Sequence, residues 1–132
     1  MKKNVRGSAV LVVFCQRSLS VAAADVDGNR PVLCATFNAH ACDPGITSER
    51  SLPAEIGALQ LLRLDFSKKT VTGAALATPM LYIEKGESQF LLLGTERAYA
   101  WSIVLDSTNG AMSATLVNRY DALVLFGALT PN

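Results

Sequence analysis

From Leu61 to the C-terminus, apolar and polar residues alternate in short runs divided by clusters of turn-forming residues. "LLRLDF" sets Leu62, Leu64 and Phe66 on one face and Arg63 and Asp65 on the other. "AYAWSIVLD" does the same with Trp101, Ile103 and Leu105. A period of two, carried by β-branched and aromatic residues, marks strands that bury one face. Between the runs lie Ser67–Lys69, Lys85–Glu87, Gly94–Arg97, Asn109–Gly110 and Asn118–Asp121. Asn109-Gly110 is a strong hairpin signal because both residues tolerate positive φ. "FLLLG" and "ALVLFGAL" are nearly continuous apolar runs, which predicts core strands.

Upstream, Pro31–Phe37 reads as a further strand. Asn38–Gly57 reads as a loop with a turn at Asp43-Pro44-Gly45, and with room for one helical turn where Ser51 precedes Pro53. The pattern predicts about eight short strands at roughly ten-residue spacing. Hairpin-length connections make successive strands antiparallel neighbours. The expected fold class is all-β: an antiparallel meander closed into a small up-and-down barrel or curled sheet.

The first 24 residues break this pattern. Lys2, Lys3 and Arg6 precede the apolar run Ala9–Cys15, and Ala22 and Ala24 follow as small residues two apart. Basic start, apolar middle and an A-x-A site are the parts of a secretory signal peptide. Cleavage is expected between Ala24 and Asp25, leaving a single domain of residues 25–132. The apolar run is shorter than the roughly 20 residues a membrane span takes, so no stable anchor is expected after cleavage.

Charge changes with that cleavage. The whole chain carries +1, with half its residues hydrophobic and 17% charged, which fits a packed core and not a disordered chain. Losing Lys2, Lys3, Arg6 and Arg17 leaves eight basic residues against 11 acidic ones, a net charge of −3. A mildly acidic domain is a poor binder of nucleic acid or anionic lipid by charge alone.

Export also changes how the cysteines read. Cys15 leaves with the signal, and Cys34 and Cys42 remain. An even count in an oxidising compartment predicts a disulfide between them. Cys34, His40, Cys42 and Asp43 lack the tight spacing of a structural zinc site, so no metal is expected. His40 is the sole histidine, and no serine sits in a G-x-S-x-G elbow. No P-loop, dinucleotide fingerprint or H-E-x-x-H occurs. The chain is therefore expected not to be an enzyme and to need no cofactor. His40, Asp43, Tyr99 and Trp101 are the candidate partner contacts, with core packing as the competing reading for Trp101 and the barrel rim for Tyr99.

Four segments, "LCATFNAHACDPG" (Leu33–Gly45), "LLRLDFSKKTVTG" (Leu61–Gly73), "RAYAWSIVLDSTNGAMSATL" (Arg97–Leu116) and "LVLFGALTP" (Leu123–Pro131), resemble in order a group of small exported bacterial proteins of unknown function. The resemblance implies an exported single domain and carries no activity. Members of that group have further cysteines where this chain has Ser48 and Leu129. If those two pair with each other, Cys34 and Cys42 are left to pair; if the pairing is crossed, both are free thiols here.

The reading from sequence is a periplasmic or secreted β-domain, a non-enzymatic binding or structural module of the cell envelope. Its partner is an unidentified envelope protein or ligand. The alternative is an inhibitor of a secreted hydrolase that presents Asn38–Ser51 to its target.

Overall fold

The computed structural model describes residues 26–45, 48–55, 60–73 and 77–130. The signal-peptide helix and the Ala24–Asp25 cleavage site lie outside them. Among the described residues there is no helix. There are ten strands: β1 (Val32–Cys42), β2 (Ser48–Ser51), β3 (Leu61–Asp65), β4 (Thr70–Thr72), β5 (Ala77–Pro79), β6 (Tyr82–Lys85), β7 (Gln89–Glu96), β8 (Tyr99–Asp106), β9 (Ala111–Val117) and β10 (Ala122–Leu129). All pair antiparallel in one sheet, in the order β5-β4-β3-β1-β10-β9-β8-β7-β6, with β2 added beside β1.

The sheet curls into a half-barrel around its core. Its two outermost strands, β5 and β6, are consecutive in the chain and separated only by Met80 and Leu81. The seam is tied by Thr78 Oγ1, which donates to Thr95 O at 3.1 Å, and by Leu81 N, which donates to Leu93 O at 2.9 Å. Curling shields most of the edges that such apolar strands would otherwise expose.

Alternation decides what faces inward. Leu62 and Leu64, Phe90 and Leu92, and Trp101, Ile103 and Leu105 all enter the core, as their period of two requires. The two apolar runs expected to be plain core are buried on one face only. Leu92 and Leu125 are enclosed while Leu93 and Phe126 stand on the outer surface. In β1 the parity changes midway. A β-bulge between Thr36 and Asn38 leaves Phe37 without a partner on β10 and turns it to solvent. Cys34 and Thr36 point inward before the bulge, Ala39 after it.

Three expectations are corrected. The segment read as a loop over Asn38–Gly57 contains a β-hairpin: β1 runs on to Cys42, and β2 returns beside it. Small and polar residues hid this hairpin from a hydrophobic count. Where the sequence leaves room for a helical turn, Pro53–Glu55 is a turn closed by Glu55 N donating to Leu52 O at 3.0 Å. The third correction is chemical: Cys34 and Cys42 are free thiols. Both lie on β1, and eight residues of extended strand span about 26 Å, against the roughly 4.4–6.8 Å a disulfide needs between Cα atoms. Register sets Cys34 opposite Leu129 and Cys42 opposite Ser48.

Candidate functional site

The curled sheet has two unlike ends. At one end the connections after β3, β6 and β8 meet the chain's entry into the fold. Val26 is buried there, and Lys85 Nζ donates to Gly28 O at 3.0 Å, with its ammonium 5.9 Å from the centre of the Phe66 ring. Phe66 meets Phe90 edge to face at 5.8 Å. Two turns at this end share one construction. Asp65 Oδ1 accepts from Ser67 Oγ at 2.8 Å and Lys68 N at 3.0 Å. Asp106 Oδ1 accepts from the Thr108 hydroxyl, from Thr108 N at 2.8 Å and from Asn109 N at 3.2 Å. Each turn then closes with a residue at positive φ, Lys69 at 53° and Gly110 at 75°. The Lys68 amide and Ser67 hydroxyl hold the Asp65 carboxyl below the usual range, and the Thr108 hydroxyl and amide do the same for Asp106.

The opposite end is hollow. A cavity of about 80 Å³ opens there, with Leu62, Val71, Ile103, Leu116 and Leu125 among its walls and Glu96 also lining it. The Trp101 indole forms one wall. It is 7% exposed, and its Nε1–H is buried with no acceptor among the described residues. Burying a donor unpaired costs roughly 1–3 kcal/mol. Gly94 faces Trp101 across β7 and β8, and a Cβ there would overlap the ring. A side chain at 94 would displace the indole from this place in the wall. The rim includes a tight turn, Arg97-Ala98, between the paired residues Glu96 and Tyr99. Both turn residues have positive φ, 45° and 69°. A two-residue turn of this kind prefers Asn and Gly, so the sequence gives it no local support.

The four predicted contact residues do not form one surface. Trp101 faces the interior, as the core reading had it. Tyr99 sits at the rim of the hollow end, its hydroxyl donating to Asp121 Oδ1 at 3.4 Å. His40 lies on the outer face of β1, edge to face with Phe126 at 6.2 Å. Asp43 is exposed in the β1–β2 connection, where its Oδ1 accepts from Gly45 N at 2.8 Å. Cys34 faces inward and is fully enclosed, while Cys42, on the far side of the bulge, is only half-buried, so the two cannot join His40 at one centre. Burial pushes the Cys34 thiol up to about 12.

Reasoning from sequence found Trp101 but not the cavity beside it. Its lining comes from β3, β4, β5, β7, β8, β9 and β10, and only the curl of the sheet brings those together. The one local signal was Gly94, a glycine inside an apolar strand, which marks close approach of another group.

No family model matches the chain, and searches of curated proteins and of solved structures return no match.

Proposed function

We propose that this chain is an exported, non-enzymatic binding module whose hollow end takes a small ligand. The observation that carries the reading is the cavity beside Trp101, a mostly apolar recess with a few polar side chains, Thr78, Glu96, Ser102 and Thr115, in its lining, which is the usual character of a small-molecule site. Export is favoured by the basic–apolar–small pattern of residues 1–24. Cleavage after Ala24 would leave Val26 near the new N-terminus, from where it enters the core at the packed end.

Native mass spectrometry of the chain recovered by osmotic shock from a bacterial host tests both parts. The expected species begins at Asp25 and carries a small-molecule adduct, lost on denaturation and absent from an Ala114→Phe variant that fills the cavity. A full-length mass in the cytosolic fraction contradicts export. An adduct kept by the variant contradicts the site.

A second reading, inhibition of a secreted hydrolase, is favoured by the β1–β2 hairpin. Beyond Ala35, β1 leaves β3 and pairs with β2 instead, so the hairpin stands at the hollow end. Arg50 Nε donates to Asn38 Oδ1 at 2.9 Å on its surface. Replacing Glu49 and Arg50 with alanine should abolish inhibition and leave the fold intact; inhibition that survives the change rules the reading out.

A further inference from the structure

We infer that the ligand of the hollow end is a short alkylammonium, its alkyl end in the cavity and its cationic nitrogen at the Glu96 carboxylate. The inference rests on the cavity being a ligand site and names the chemistry that site selects. Alternation along β7 sets it up. Phe90, Leu92 and Gly94 are buried on the inner face, so Glu96, next in that series, is on the same face, half-buried at the rim. It lines the cavity together with Leu62, Ile103, Leu116 and Leu125. The other polar side chains of the lining already have partners. Thr78 Oγ1 donates to Thr95 O at 3.1 Å, and the Ser102 and Thr115 hydroxyls hydrogen-bond each other at 2.6 Å. The Glu96 carboxylate has no hydrogen bond and no ion pair among the described residues. Arg97, next in the chain, is exposed on the rim turn and makes no ion pair with it.

A carboxylate beside apolar walls is partly stripped of water, and a cation brought to it there is attracted more strongly than in open solvent. A second carboxylate at the same point would be repelled. Size sets the alkyl part. An apolar cavity of about 150 Å³ holds one benzene ring. At about 80 Å³ this one takes roughly three carbon atoms, a propyl or isopropyl end. The rest of the ligand extends past the rim, where Glu96 precedes the Arg97-Ala98 turn.

Three probes on one carbon skeleton separate the claims: 3-methylbutan-1-amine, 3-methylbutan-1-ol and 3-methylbutanoate, each titrated near neutral pH into the chain as recovered from the host. The amine and the alcohol should shift the Ile103 and Leu125 methyl signals saturably, the amine with about fivefold higher affinity. The carboxylate should bind most weakly. Glu96→Gln should remove the preference for the amine and leave the affinity for the alcohol unchanged. Salt at about 1 M, where the Debye length is about 3 Å, should narrow the same preference in the unaltered chain. Equal affinities for amine and alcohol, tighter binding of the carboxylate, or a preference that survives Glu96→Gln or ignores salt overturns the ammonium assignment while the cavity stands as a ligand site. If no probe shifts the methyls, the ligand site fails and the assignment with it. The salt comparison uses the unaltered protein, so the assignment is tested even where Glu96→Gln does not fold.

Discussion

The two ends of this sheet solve the same problem in opposite ways. The packed end fills its opening with Phe66, Phe90 and Val26 and ties its turns with Asp65 and Asp106. The hollow end leaves about 80 Å³ unfilled, holds a tryptophan donor without an acceptor, and turns the chain through an arginine and an alanine at positive φ. Most local choices at the first end favour stability, Lys69 at φ 53° being the exception. At the second, three choices cost stability, and costs that collect in one place point to function. The difference teaches that the packed end carries the fold and the hollow end is what the fold supports.

Substitutions can break that contrast, and their effects should fall off in a definite order. Phe90→Ala at the packed end should cost about 3–5 kcal/mol, because it removes a buried ring and its edge-to-face partner. Urea unfolding would measure it; a loss below about 1 kcal/mol would mean that this end is no better packed than the other. Gly94→Ala should cost about 1–3 kcal/mol by forcing the Trp101 ring from its place. A red shift in tryptophan emission should accompany the loss, and unchanged emission would mean that the ring does not pack on Gly94. Ala98→Gly at the hollow rim should stabilise by about 1 kcal/mol, since glycine adopts φ near +69° without the penalty alanine pays. A destabilised variant would show that the turn is not strained.

Acid should act on the packed end. Asp65 and Asp106 are depressed in the folded chain, so their contribution is present above the ordinary carboxylate value of 3.8 and is lost as pH falls through the folded values. An Asp65→Asn, Asp106→Asn double variant should therefore lose less stability on acidification than the parent, as thermal melts over that range would record. Equal losses would place the acid sensitivity elsewhere. The smallest effect is on the thiols: in the native state Cys42 should react with a maleimide and Cys34 should not, since Cys34 is enclosed and burial pushes its thiol up to about 12. Mass spectrometry showing a Cys34–Cys42 bridge would contradict the strand that separates them.

Much of the fold is written in local alternation. The faces of β3, β7 and β8 follow directly from Leu62/Leu64, Phe90/Leu92 and Trp101/Ile103/Leu105, and hairpin-length turns fix their neighbours. The β1–β2 hairpin escaped because its residues, Ala39 to Cys42 and Ser48 to Ser51, are small or polar and are held by register, not by apolar burial. The bulge at Phe37 escaped for a related reason. It inverts the facing of everything after it, and nothing local distinguishes "CATFNAH" from an unbroken strand. The disulfide prediction failed because the strand does not end at Phe37: counting cysteines gives parity, while β1 runs on through Cys42 and holds the two thiols far apart along its length. The cavity was the least legible feature, being built by residues far apart in sequence that meet only when the sheet curls.

Xenon tests the contrast between the ends most directly, because it enters apolar cavities and makes no hydrogen bond. Under xenon pressure the methyl signals of Ile103, Leu116 and Leu125 should shift saturably, and those of Leu64 and Leu105, which are fully enclosed in the core but do not line the cavity, should stay in place. Shifts spread evenly over both groups, or none at the hollow end, would contradict the account.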